Sequence, residues 1–237
     1  MIPLIYFLRK NSSILRLGKT KFEGKVLIKA TSNGLSEFMT NISMSIVAIL
    51  FNSQLMKYSG ENGVAAYGVM MYVSMIFTAV FVGFSIGASP VISFHFGAKN
   101  TDELKNLIRK SIVIVGTFGI IMVIAAEIFA GGLAKIFVGY DEELYRLTLS
   151  GFRIFALSFG FMGFGILTSG LFTALNDGLT SALISFLRTL VFESGAVMLL
   201  PLIFGIHGIW YSVVVSEFLA LVLGAVFLVI NRKKYHY

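Results

Sequence analysis

The chain has 237 residues, of which 57% are hydrophobic and only 13% are charged, and its formal net charge is +7 at pH 7. So few charged side chains could not cover a soluble protein of this length, which excludes an ordinary soluble domain. Cysteine is absent, which excludes disulfides, thiolate catalysis and zinc–cysteine sites. No nucleic-acid partner is expected, because the positive charge lies in loops rather than on one face.

Six long apolar segments follow one another along the chain, joined by short loops. They cover residues 34–56, 64–94, 111–134, 148–173, 179–204 and 208–230. A helix rises about 1.5 Å per residue and the hydrocarbon core of a bilayer is about 30 Å thick, so about 20 residues suffice to cross it. The sequence therefore predicts an all-α, polytopic protein of the lipid bilayer with six transmembrane helices.

Basic residues concentrate in every second loop. The arm before residue 30 carries seven, the loop after the second segment carries four, and the C-terminal tail carries three. The positive-inside rule therefore predicts a multi-pass protein of the cell (inner) membrane with both termini in the cytoplasm.

Residues 1–8 are apolar but too short for a signal peptide, and their basic cluster follows them instead of preceding them. They look like the last turns of a spanning helix whose beginning is missing. We expect three regions: the end of a truncated helix plus a basic cytoplasmic arm (1–29), a six-helix lobe (30–231) and a basic cytoplasmic tail (232–237).

Local signals mark where helices begin and turn. Asn100 with Glu103 three residues later predicts a capped helix start, and Asp141 opens another helix. Residues 176–178 and 205–208 are typical of tight turns. These connections leave no room for a separate folded domain, so any function lies in the membrane.

Four carboxylates lie inside the predicted spans: Glu37, Glu127, Glu193 and Glu217. Placing an ionised acid near the bilayer centre costs roughly 2.5–3.5 kcal/mol, so each must lie near an interface, be paired or protonated, or face water. Glu127 is expected at an interface and Glu217 in a structural role. Arg188 and Thr189 lie about one turn from Glu193, so an internal pair or hydrogen bond and a role in a cavity both stay open for it.

Two polar stripes follow helical spacing in the first two spans. One contains Glu37, Asn41, Ser45, Ala48 and Asn52, and it either packs against neighbouring helices or lines a polar cavity in which a carboxylate binds a cation or a proton. The other includes Tyr67, Met71 and Ser74, a soft surface that suits apolar cations but also plain packing. The glycine-containing patches 83–87 and 165–170 favour close helix contact.

The residues give no sign of an enzyme. Phosphate-cradling glycine loops, G-x-S-x-G and H-E-x-x-H are absent, and the three histidines lie too far apart in sequence to indicate a metal site. We therefore expect no catalytic residues, no metal centre and no cofactor other than a coupling Na+ or H+.

Three motifs in order resemble the multidrug and toxic compound extrusion (MATE) family: residues 83–100, residues 170–178 followed by Leu187 and Arg188, and residues 199–210 followed by Ser216 and Glu217. The resemblance runs over about residues 25–230. It implies a cation-coupled exporter of organic cations or drugs, in which two six-helix lobes form a V around a central cavity. Acidic and polar residues on the lobe-facing helices of such proteins bind the coupling Na+ or H+.

The resemblance covers only the family's second six helices. Alternating access needs two lobes, so the chain is expected to be a fragment or a half-transporter that pairs with an N-terminal lobe or a second copy. The implied coupling residues are Glu37 and Asn41, and the implied substrate cavity includes Ser45, Tyr67, Met71 and Glu193. Some members carry an acid in the fourth span, where this chain has none, and some carry the first-span acid one turn deeper, where this chain has Asn41.

Two other functions stay open. A lipid-linked oligosaccharide flippase of related architecture would need a strongly cationic cavity, and only Arg153 and Arg188 are available inside the spans. A non-transporting scaffold or remnant would tolerate replacement of every intramembrane polar residue and would have no water-accessible helix face.

Overall fold

The computed structural model describes residues 22–235 and residue 237, without the side chains of Lys29, Ser32, Asn33, Ser36 and Glu37. By packing, the chain divides into Met1–Thr31 and Ser32–Tyr237. Every element in the described ranges is a helix. The predicted all-α class is confirmed.

Helix α1 (Gly24–Gly97) is two helices joined at a sharp break. Gly60 has φ 61° and ψ −149°, a backbone conformation that is essentially restricted to glycine. The rings of Phe51 and Tyr67 stack with centroids 4.9 Å apart, although 16 residues of straight helix would separate them by about 24 Å. The chain therefore folds back at Gly60, and we call residues 38–59 the first arm and residues 61–97 the second arm.

Helices α2 (Thr101–Val138) and α3 (Glu142–Ala156) begin where the sequence predicted. The side chain of Asn100 accepts a hydrogen bond from the Glu103 amide at 3.2 Å. The Asp141 carboxylate accepts hydrogen bonds from the amides of Glu143 and Leu144, at 2.9 and 3.1 Å. The side chains of Asn100 and Asp141 thus accept hydrogen bonds from backbone N–H groups that have no partner inside their own helix.

The fourth and fifth predicted segments are not single continuous α-helices. Helix α3 meets α4 (Phe159–Ala174) at a 50° bend. Helix α5 (Gly178–Phe186) runs into a π-helical segment (Leu187–Glu193), then α6 (Ser194–Leu199) and α7 (Pro201–Phe204). Gly205, at φ 57°, forms the predicted turn into α8 (Ile206–Tyr235).

Within the described residues, four helical stretches are long and apolar enough to cross a membrane: Phe38–Gly97, Thr101–Val138, Gly178–Phe204 and Ile206–Tyr235. A fifth span results if the bent pair α3 and α4 is counted as one. A straight stretch of 60 residues would be about 90 Å long, three times the hydrocarbon thickness, so the break at Gly60 favours counting its two arms separately. The total of six spans stays a prediction.

The main core lies where the arms of α1 meet α3, α4 and α8, and its fully buried side chains include Phe51, Phe155, Phe159 and Trp210. The two predicted small-residue patches contact each other, because a Cβ at Gly170 would collide with the Oγ of Ser85. Large apolar side chains are also exposed along the long helices, which is typical of a surface that faces lipid.

Candidate functional site

A buried ion pair joins the π-helical segment to α8. Arg188 donates hydrogen bonds to both carboxylate oxygens of Glu217, from Nε at 3.0 Å and from Nη2 at 2.7 Å. The two side chains are 18% and 7% exposed. A bidentate contact of this kind is the strongest geometry available to arginine and a carboxylate. The structural role predicted for Glu217 has a physical basis in this pair.

Glu193 lies at the end of the same π-helical segment and is partly buried. It is near enough to interact electrostatically with Arg188, Glu217 and Tyr67. Its carboxylate makes no hydrogen bond or ion pair with any residue that the structure describes. Of the two possibilities left open for Glu193, the pair with Arg188 is therefore not formed, since Arg188 binds Glu217 instead.

The structure places the other predicted site residues as follows. Tyr67 is buried and stacks on Phe51, whereas Asn41, Ser45 and Met71 are exposed. Ser45 donates a hydrogen bond to the backbone oxygen of Asn41 at 3.2 Å. The side chain of Glu37 lies outside the described residues. The roles of all these residues in coupling and substrate binding stay predictions.

Sequence reasoning missed a hydroxyl network between α4 and α5. The Oγ of Ser169 lies 2.9 Å from the hydroxyls of both Ser181 and Ser185, and Thr173 donates to Ser181 at 2.8 Å. The signal was present: each helix carries two hydroxyl residues four apart, on either side of a tight turn. Such bonds hold two helices together where the surroundings are apolar.

A second polar cluster lies in the turn before α5, outside the spans. Asp177 caps α5 through the Thr180 amide at 3.2 Å, and it accepts hydrogen bonds from Lys234, at 2.9 Å, and from the Tyr235 hydroxyl. Burial opposes ionisation of Asp177, but the hydrogen bonds from Tyr235, Lys234 and Thr180 outweigh it and lower its pKa to about 2. This cluster fastens the end of α8 to the turn between α4 and α5.

In residues 22–235 and 237, no three histidine or acidic side chains come together as a metal site. What the fold and the site define is an α-helical membrane protein with a charged cluster between its helices. The family model described as MatE matches residues 38–194, which is more than half of the chain. The chain belongs to the MatE family, whose transporters are integral membrane proteins.

Named relatives and a solved structure agree with this assignment. Multidrug export protein MepA of Staphylococcus aureus (strain bovine RF122 / ET3-1) is 22% identical over 218 residues, which are 90% of this chain and 47% of MepA. Probable multidrug resistance protein YoeA of Bacillus subtilis (strain 168) is 27% identical over 151 residues, 61% of this chain and 32% of YoeA. The chain thus spans about half the length of MepA.

The solved structure is an outward-facing conformation of a multidrug resistance MATE family transporter of the MOP superfamily. It matches with a TM-score of 0.89 at 22% identity, over 99% of this chain and 53% of that chain. At this identity the likeness shows the fold, and the MatE match confirms the predicted family.

Proposed function

We propose that this chain forms the C-terminal lobe of a cation-coupled antiporter that exports organic cations or drugs across the cell membrane, with both termini in the cytoplasm. Na+ or H+ is the coupling ion, and the second lobe is an N-terminal lobe of the family or a second copy of this chain. Membership in the MatE family supports this proposal, as do the names of MepA and YoeA. We propose no enzymatic activity.

The observation that carries the proposal is an imbalance of charge inside the bundle. Arg188 faces two carboxylates, and both of its contacts go to Glu217. Among the described residues, the negative charge of an ionised Glu193 is therefore left uncompensated. An uncompensated charge in a membrane is costly, which favours binding of a proton, Na+ or an organic cation at Glu193. Tyr67 lies within electrostatic reach of Glu193 and has an aromatic ring, which attracts cations.

A single uncompensated charge also gives a physical basis for exchange. One cation at a time neutralises Glu193, so an organic cation and a coupling ion exclude each other at this position. Mutually exclusive occupancy is what an antiporter needs when its two lobes alternate around a shared site.

The polar stripe predicted in the first span belongs to the same proposal. Glu37 and Asn41 are the proposed coupling residues, and Ser45 and Met71 are proposed to line the cavity with Tyr67 and Glu193. Exposure of Asn41, Ser45 and Met71 supports this arrangement, because a surface that faces a second lobe is open in one lobe by itself. The stacked rings of Phe51 and Tyr67 hold the two arms beside each other below that surface.

The geometry disfavours the flippase alternative. Of the two intramembrane arginines that could hold a pyrophosphate, Arg188 is occupied by Glu217, and Arg153 lies 3.9 Å from Glu127. Arg153 by itself does not make the strongly cationic cavity that a pyrophosphate would need. The scaffold alternative predicts that Glu193 is replaceable, which the following experiment tests.

The experiment is ethidium efflux from a drug-sensitive, efflux-deficient bacterium that makes this chain together with an N-terminal lobe. We expect Glu193→Gln to lower energy-dependent efflux on the order of tenfold, because the uncompensated charge is removed. Glu142→Gln is the matched control, since Glu142 is exposed and paired only with Arg146 on the helix surface. Its efflux should equal that of the unaltered chain.

Glu37→Gln tests the coupling prediction in the same strain. Equal efflux by the unaltered chain, Glu193→Gln and Glu37→Gln, at equal amounts in the membrane, would exclude both residues from transport and favour the scaffold alternative. Efflux by the chain without an N-terminal lobe would identify a second copy as the partner.

A further inference from the structure

A narrow apolar crevice opens on the bundle where α2, α4 and α8 meet. Its volume is about 290 Å³, and its wall is almost entirely apolar. Helix α8 contributes Leu221, Ala225 and Leu228 at intervals of four and three residues, so they follow one face of the helix. Helix α4 contributes Phe164, Leu167 and Leu171 at similar spacing.

A second, wider cavity of about 550 Å³ continues from this crevice. The two share Ile108, Ile112 and Leu228, so one apolar wall connects them. The wider cavity adds three cations, Lys105, Arg109 and Arg232, and no acidic residue lines it. The combined feature is amphipathic: cations surround the mouth, and the apolar crevice leads away from them.

Two of the three cations at the mouth have no ion-pair partner among the described residues, and the third is hydrogen-bonded to Tyr237. Lys105 and Arg109 are four residues apart on α2, hence on the same face, and neither forms an ion pair with a described residue. The Nε of Arg232 donates to the backbone oxygen of Tyr237 at 3.2 Å, and the Tyr237 hydroxyl donates to the Leu228 backbone oxygen at 3.1 Å.

Lys234 provides a contrast within the same stretch of chain. It binds Asp177 at 2.9 Å, so its charge is compensated. Lys105 and Arg109 have no such partner among the described residues, and together with Arg232 they line one cavity. Like charges that lie close together repel each other. An anionic ligand would remove the repulsion.

We propose that this feature binds one anionic phospholipid of the cytoplasmic leaflet. The phosphate-bearing headgroup lies between Lys105, Arg109 and Arg232, and an acyl chain lies in the crevice along α8. Basic pockets between transmembrane helices at the cytoplasmic face suit anionic headgroups, and the crevice supplies the apolar surface that a free phosphate would not need. The cytoplasmic leaflet follows from the positive-inside orientation.

The dimensions fit a lipid of one leaflet. From Arg232 to Leu221 the helix advances 11 residues, about 16 Å, which is close to half of the roughly 30 Å hydrocarbon core. A headgroup at Arg232 therefore places its acyl chain along the whole apolar crevice. The choice of leaflet rests on the proposed cytoplasmic placement of the termini. Lipid binding itself does not rest on transport, so it can fail or hold independently of efflux.

The test is lipid binding to the purified full-length chain in mild detergent, measured by native mass spectrometry with phosphatidylglycerol and phosphatidylcholine as probes. The variant is the triple change Lys105→Gln, Arg109→Gln and Arg232→Gln. The control is Lys99→Gln, Lys110→Gln and Lys233→Gln, which removes the same charge from the same predicted side but from outside the cavity wall. We expect one tightly held phosphatidylglycerol, and binding on the order of 100-fold weaker in the triple variant than in the control.

A second variant keeps every charge and narrows the crevice. Ala225→Phe should weaken phosphatidylglycerol binding, while soluble glycerol phosphate should bind neither protein. The proposal is overturned if the two triple variants bind phosphatidylglycerol equally, if phosphatidylcholine binds as tightly, or if glycerol phosphate alone binds. If the triple variant does not fold, unchanged binding by Ala225→Phe overturns the proposal, and weakened binding supports it.

Discussion

Two arginine–glutamate pairs lie inside predicted spans, and they differ in geometry and burial. Arg188 holds Glu217 with two short contacts at low exposure, whereas Arg153 meets Glu127 once, at 3.9 Å, with side chains that are 60% and 38% exposed. In the first pair, each buried charge has lost its hydration and depends on the other charge for compensation. In the second pair, both side chains remain substantially exposed. The types of the two residues therefore do not determine how much an ion pair contributes to stability. Its burial and its number of contacts determine that contribution.

The largest effect is expected when the buried pair is broken. Glu217→Ala leaves the Arg188 guanidinium buried without its partner, and we expect a loss of about 3–5 kcal/mol in the free energy of unfolding in detergent. The double change Arg188→Met with Glu217→Leu should recover most of this loss, because neither member of the pair is then left buried without the other. A loss below about 1 kcal/mol for Glu217→Ala would put this pair in the same class as exposed ones.

The second-largest loss in the free energy of unfolding is expected when the charge of Asp177 is removed. Asp177→Asn keeps a cap for α5 but removes the charge that faces Lys234, and we expect a loss of about 2 kcal/mol at neutral pH. The folded pKa of about 2 lies below the reference value of 3.8, so this stability is present above pH 3.8 and is lost as the pH falls towards 2.

Thermal unfolding of Asp177→Asn and the unaltered chain across pH 7 to 3 measures this difference. The two curves should approach each other below pH 3.8. A constant gap over the whole range would show that the charge of Asp177 is not what stabilises the turn.

Replacement of Glu193 should stabilise the protein rather than destabilise it. Glu193→Gln removes the uncompensated carboxylate near Arg188 and Glu217, and we expect the free energy of unfolding to rise by roughly 1 kcal/mol while efflux falls. Chemical unfolding of the purified proteins measures the first effect. A destabilised Glu193→Gln protein would mean that Glu193 has a structural partner.

The smallest effect is expected at the exposed pair. Glu127→Gln should change the free energy of unfolding by no more than about 1 kcal/mol, because Arg153 and Glu127 keep much of their exposure. The same unfolding assay applies. A loss as large as that of Glu217→Ala would contradict the ranking by burial.

Much of the fold could be predicted from the sequence because the signals are local. Apolar length predicted the long helices, and Asn100, Asp141 and residues 205–208 marked starts and turns that the structure confirms. Motif order gave the family, which the MatE match to residues 38–194 confirms. The bend between α3 and α4 and the π-helical segment went unpredicted, because both lie inside segments long enough to be one span and no proline marks either position.

The candidate site could be predicted only in part. Tyr67 and Glu193 were chosen from separate spans, and the structure brings them within electrostatic reach. The partner of Arg188 could not be chosen, because Glu193 is five residues away in sequence and Glu217 is 29. Proximity in sequence favoured Glu193 as the partner. In the folded chain, α8 places the carboxylate of Glu217 against the guanidinium of Arg188.

By itself, the sequence determined that this protein spans a membrane as a helical bundle and belongs to the MatE family, since hydropathy, charge in loops and motif order need no knowledge of neighbours. Only the tertiary structure decided which charges compensate each other: Arg188 with Glu217, and Lys234 with Asp177. The physical reason is that each helix buries a face set by its rotation against several others. That rotation depends on packing across the whole bundle rather than on any one segment.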